Sequence, residues 1–200
     1  MKTLPRKLVA AAFAAVLLTA CSAEQPTVSY HVDYPAYQSA AELYKKALLV
    51  VEVRLGDTAR TVLEKGIPDS QNTDPLSNPN ADAPKAGTEA APQEEPLVTT
   101  VYPAQVVKVF KGEAKPGETI EVKELGGTLN GTKYEEAGAS SLQRSRTYVL
   151  FLETYPNSPA ALLNSEQGKY PIDAAGNLES LRENTIKLTR SDLEKLSTGN

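Results

Sequence analysis

The chain has 200 residues but only one cysteine and one histidine, which leaves little catalytic vocabulary. With no second cysteine, Cys21 can form no disulfide within the chain, so an extracellular domain would have to hold itself by its core. His31 lies in a polar stretch without a ligand-spaced partner and reads as a solvent-exposed side chain, not a metal ligand. The only histidine lying in the tether argues against a Ser-His-Asp triad. There is no nucleophile elbow, no His-Glu-x-x-His, no cysteine pair and no phosphate loop. The acids Glu94-Glu95, Glu135-Glu136 and Asp69, Asp74 and Asp82 lack calcium-loop spacing and read as solvated. No cofactor and no metal follow from these residues, and the reading is a protein that is not an enzyme. Only a pair of carboxylates brought together from different strands stays open, because sequence cannot exclude it. No Lys/Arg-rich patch stands out, so nucleic acid is not an expected partner. No apolar run approaches the roughly 20 residues needed to span a bilayer as a helix.

The N-terminus carries the clearest signal. Lys2, Arg6 and Lys7 precede an apolar core from Leu8 to Leu18, which ends in Leu18-Thr19-Ala20-Cys21. This is the layout of a secretory signal. Small residues at Thr19 and Ala20 give a peptidase access to the backbone, and the Cys21 thiol can accept a diacylglyceryl group. The stretch resembles the bacterial lipoprotein signal and lipobox. That resemblance implies cleavage before Cys21, acylation there, and a lipid bilayer as partner. Two or three acyl chains anchor firmly where one does not. Localisation is then extracytoplasmic, on the bacterial cell membrane. Removing Lys2, Arg6 and Lys7 from the 21 basic residues leaves 18 against 25 acidic ones, about −7. An acidic surface disfavours direct contact with anionic lipid.

The rest divides into a tether at 21–36 and one domain at 37–196, after a signal peptide at 1–20. Ser39-Ala40-Ala41-Glu42 matches a capping box and predicts a short helix over 40–47. In Leu48 to Leu55, Val51, Val53 and Leu55 alternate with Glu52 and Arg54, which predicts a strand. From 68 to 96 prolines recur and Leu76 is the only larger aliphatic, so a disordered insertion is expected there, looping out of one end of the core. Val106 to Phe110 restarts the apolar pattern, with Pro103 marking an edge or bend. Lys115-Pro116-Gly117-Glu118 predicts a tight turn. In Thr119 to Leu125, Ile120 and Val122 face in while Glu121 and Lys123 face out. Asn130-Gly131 is the strongest hairpin dipeptide in the chain. Thr147-Tyr148-Val149-Leu150-Phe151-Leu152 does not alternate, so both of its faces need cover, and it reads as the central strand. Shorter extended pieces follow at 160–163, 168–173 and 185–188. Ser191-Asp192-Leu193-Glu194 predicts a second capped helix to about Leu196. Six or seven strands with Gly/Pro turns, and no room for crossover helices, give a mainly β fold around one core, flanked by one or two short helices.

Val106 to Gly112, Lys115 to Ile120, Tyr148 to Leu152 and Asn164 to Tyr170 form a series that resembles a group of uncharacterised bacterial secreted and lipid-anchored proteins. Their order also resembles the netrin-like or TIMP-like module, a small five-stranded OB-type barrel. The resemblance implies a small OB-like or TIMP-like antiparallel β-barrel. It does not carry the protease-inhibitor function over, because that depends on a disulfide-held N-terminal cysteine and Cys21 has no partner. Fold alone does not supply function.

The expected function is therefore a lipid-anchored, non-enzymatic binding or interaction module of the cell envelope, with an envelope protein or polysaccharide as the possible partner. The competing readings are a purely structural envelope lipoprotein and, behind it, a hydrolase or inhibitor-like protein. Asn164, Gln167 and Tyr170 form the expected recognition surface, with the 126–138 loop beside them.

Overall fold

The structure is a computed structural model that describes residues 25–64 and 97–199. The signal peptide, Cys21 with its lipobox, and the insertion expected at 68–96 lie outside the described residues. Ten strands and two short helices make the described part mainly β.

The run expected at the centre of the fold is there, as β8 (Thr147–Tyr155). It pairs antiparallel with β2 (Leu49–Leu55) along one edge. Along the other it pairs with β10 (Lys169–Pro171) and β9 (Ser158–Leu162). Its two faces enter different apolar clusters. Tyr148, Leu150 and Leu152 pack with Val51, Val53 and Leu55 of β2 and Val122 of β5 (Thr119–Leu125). Val149 and Phe151 pack on the opposite side with Tyr170, Leu43 and Leu193. Val149, Leu150, Phe151 and Leu152 are all fully buried. Each such side chain is worth about 1.5–3 kcal/mol relative to exposure. This is why the run has no polar alternation.

β4 (Leu97–Lys111) is long because it serves two partners in turn. Its first part pairs with β3 (Arg60–Glu64), and its second with β2. Pro103 falls between the two on that edge, where the strand changes partner, and on the other edge it stands opposite Glu121 of β5. β5 follows through the Lys115–Glu118 turn, closed by Glu118 N–H donating to Lys115 O at 3.0 Å, with Gly117 at φ 87°. β6 (Gly127–Leu129) and β7 (Thr132–Glu136) form the Asn130-Gly131 hairpin, with φ of 50° and 81° at the two turn residues.

Two helices cover the face of β8 that Phe151 occupies. α1 (Ala40–Lys46) starts at Ser39, whose hydroxyl accepts from Glu42 N–H at 3.2 Å. The returning bond of the box goes one residue further back, from Gln38 N–H to the Glu42 carboxylate at 2.8 Å. α2 (Arg190–Thr198) begins two residues before the box expected at Ser191. Thr189 and Asp192 form the cap instead. That start buries Leu193 completely and lets Arg190 reach Glu52 of β2 at 2.8 Å.

The expected small antiparallel OB-like or TIMP-like barrel around one core is not what forms. The larger sheet is seven-stranded and mixed, in the order β10-β8-β2-β4-β5-β9 with β3 added on β4. Its β5–β9 pairing is parallel, and β9 also pairs with β8. β10 and β3 lie beyond this arrangement as outer strands. A second, three-stranded sheet, β1-β7-β6, forms its own ladder and packs against β3 and β4. The core is double, because β2 and β8 are covered on both faces. β1 (Thr27–Tyr30) lies inside the stretch expected to be tether. It pairs parallel with β7, stacks Tyr30 on Tyr134 at 6.0 Å, and its Tyr30 hydroxyl accepts from Val98 N–H at 2.9 Å. The segment 185–188 is not a strand, although Ile186 and Leu188 are buried.

Candidate functional site

β5 brings its last three residues, Lys123, Glu124 and Leu125, to a cavity of about 650 Å³. The ends of β3, β7, β8 and β9, the start of β4, the segment Tyr34–Tyr37 before α1, the 139–141 loop, Leu163 and Ser165, and Lys169 of β10 supply the remaining walls. Strand ends gather chemistry here because each ladder stops and its terminal side chains turn into the same space.

Lys169 is the most unusual group in the lining. It sits in β10 between Gly168 and Tyr170, with its side chain 2 % exposed. Gly168 leaves no room for a Cβ, since one would stand 2.5 Å from the Asn164 carbonyl oxygen. The Lys169 ammonium donates to the Ser140 carbonyl and lies 3.9 Å from the Glu166 carboxylate. Glu166 in turn accepts from the Ser140 N–H at 2.8 Å and hydroxyl at 3.2 Å. Ser140 is thus held at both its N–H and its carbonyl, which ties the loop after β7 across the cavity wall. Burial pulls the Lys169 ammonium below its ordinary range, and the charges of Glu124, Glu166 and Glu136 oppose that pull.

Glu124 shares the inward face of β5 with Ile120 and Val122. Its carboxylate accepts from Tyr102 hydroxyl at 2.7 Å and from Leu142 N–H at 2.9 Å. Burial pushes this carboxyl above the usual range; the Leu142 N–H, Lys169 and Tyr102 draw it back down, and Glu136 adds to the rise. Glu136, at the end of β7, accepts from Tyr34 hydroxyl at 3.2 Å on one oxygen and Ser165 hydroxyl at 2.6 Å on the other. Burial, then the Glu136 charge, holds the Tyr34 phenol well above its ordinary value. Lys123 meets Glu64 at 3.2 Å and stands 5.7 Å from the centre of the Tyr155 ring. Among the described residues no group of three or more His, Cys, Asp or Glu is placed to hold a metal ion.

The three residues expected to form a recognition surface are buried. Asn164 accepts from Glu166 N–H and Gln167 N–H, and donates to Pro35 O at 3.1 Å. Gln167 accepts from Tyr37 N–H at 2.9 Å and donates to Tyr37 O at 3.0 Å, joining the segment before α1 to the body. Tyr170 packs edge-on against Phe151 at 5.8 Å, and burial pushes its phenol up to about 12. None of the three lines the cavity, and none presents a surface. Of the 126–138 stretch, Glu136 lines the cavity. Lys169 and Glu124 were missed. The signal for Glu124 is in the sequence: a carboxylate two residues after Val122 on a clean alternation occupies an inward position. Lys169 has no such signal, because its burial depends on the return of the 137–146 loop.

No family model matches the chain, and no curated protein is similar to it. The resemblance to an OB-type or TIMP-type barrel family is overturned by the mixed sheet and the double core.

Proposed function

We propose that the protein is a lipid-anchored, extracytoplasmic binding module of the cell envelope that performs no chemistry on its ligand. The observation that carries this reading is the cavity of about 650 Å³, which falls within the roughly 300–1,000 Å³ typical of small-ligand sites. Apolar side chains such as Leu97, Leu162 and Leu163 share its walls with a few placed polar groups. That mixture suits recognition. The basic start, the short apolar core and Cys21 support the anchor, with the acylated cysteine at the bilayer. No described helix is long and apolar enough to cross a membrane.

Each half has its own test. Growth with labelled palmitate is expected to label the wild type and not Cys21→Ala; no label, or equal label in both, refutes the anchor. Ala161 of β9 lines the cavity, so Ala161→Phe fills part of it. Cross-linking in intact cells is expected to capture a partner or ligand with the wild type and lose it with Ala161→Phe. A capture profile that the substitution leaves unchanged refutes the cavity as the binding site.

A further inference from the structure

Charge decides what the cavity can accept. Its lining contains two ammonium groups, and both already have carboxylates: Lys123 has Glu64 at 3.2 Å, and Lys169 has Glu166 at 3.9 Å with Glu124 nearby. Glu136 and Glu153 also line the cavity, and among the described residues neither has an ion-pair partner within 4.0 Å. Glu136 accepts one hydrogen bond on each oxygen, which leaves acceptor capacity on both.

We propose that the cavity takes a small organic cation, an ammonium group carried on an apolar body. This rests on the reading that the cavity is a ligand site, and names the class of ligand. An anion would enter against surplus carboxylates. A neutral ligand would strip water from Glu136 without replacing the lost solvation, which is costly for a charge. An ammonium replaces that water with a charge-assisted hydrogen bond. The protein shows the same preference with its own side chain: the Lys123 ammonium rests among Glu64, the Ser158 hydroxyl at 3.1 Å and the Tyr155 ring. The carboxylates do not converge as metal ligands, which favours an organic cation over a bare metal ion. Leu97 and Tyr155, each more than two-fifths exposed, offer the apolar body a surface to cover.

The test titrates the full chain with three probes of one shape: phenethylammonium, 2-phenylethanol and 3-phenylpropionate. Calorimetry measures affinity, and amide chemical shifts locate the site. Phenethylammonium is expected to bind at least tenfold more tightly than the other two, with shifts at Glu136, Glu153 and Lys123. Glu136→Gln should weaken it at least fivefold while the cooperative thermal transition persists. Glu153→Gln, at an exposed position, provides the same reading if Glu136→Gln fails to fold. Equal or tighter binding of the alcohol or the carboxylate overturns the choice of a cation and leaves the cavity as a ligand site. Ammonium binding that both variants leave unchanged also overturns it. No shift at the cavity from any of the three probes overturns the proposal and the ligand-site reading together.

Discussion

Replacing Lys169 by methionine probes the electrostatics behind the cavity directly. The substitution keeps much of the apolar stem and removes the ammonium. Its side chain is 2 % exposed, donates to Ser140 O, and faces Glu124, Glu136 and Glu166. Breaking a buried charge arrangement by deleting one partner costs about 3–5 kcal/mol, because the other charge is left buried and unpaired. Here the cost depends on pH. Glu124 already has its folded-state pKa raised by burial, and Lys169 is one of the groups that restrain the rise. Without Lys169 the rise is larger. A carboxyl raised in the folded state contributes stability that is fully present below its unfolded pKa and is lost as pH rises through the folded one. The variant should therefore lose about 3 kcal/mol or more at pH 8 and about 1 kcal/mol near pH 4.5, where Glu124 can take up a proton. Urea denaturation followed by far-UV circular dichroism at the two pH values measures this. Equal losses at both, or a larger loss at the acidic value, would refute the account of Lys169 as a cation that restrains the rise of the Glu124 carboxyl.

Four further substitutions test the frame. Leu150→Asp should abolish the cooperative thermal transition, since a buried unpaired carboxylate costs several kcal/mol against a total of about 5–15. Leu48→Asp, at a residue 54 % exposed, should shift stability by no more than about 0.5 kcal/mol. Gly112 and Gly117 share nearly the same φ, 89° and 87°, but a Cβ on Gly112 would stand 2.4 Å from Leu48 O while one on Gly117 meets nothing within 4 Å. Gly117→Ala should cost about 1 kcal/mol for the left-handed backbone, and Gly112→Ala clearly more. Similar midpoints in urea for the two would show that the β2–β4 corner is looser than its packing indicates.

Local chemistry made parts of this fold legible. The Asn130-Gly131 hairpin and the Pro116-Gly117 turn form where they were expected because their backbone angles belong to those residues whatever surrounds them. The capped start of α1 forms at Ser39 for the same reason. The second helix shows the limit. Thr189-x-x-Asp192 and Ser191-x-x-Glu194 both fit a cap, and burial of Leu193 with the Arg190–Glu52 pair favours the first. β1 was hidden because TVSY among Ser, Glu, Gln and Pro looks like a tether. Its order comes from β7, more than a hundred residues away in the chain. Asn164, Gln167 and Tyr170, all buried, read as surface in the sequence because polar side chains next to Gly168 look solvated until their backbone partners arrive.

By itself the sequence determined a mainly β composition, the doubly covered strand at 147–152, the turns, and the presence of one cysteine at the end of a short apolar segment. These depend on neighbours in the chain or on periodicity alone. Tertiary structure decided that β5 and β9 run parallel, that the core is divided between two faces, and that Lys169 lies buried among three carboxylates. Those outcomes depend on which distant segments meet. Burial and charge pairing are set by the meeting, and the residues along one strand do not encode it.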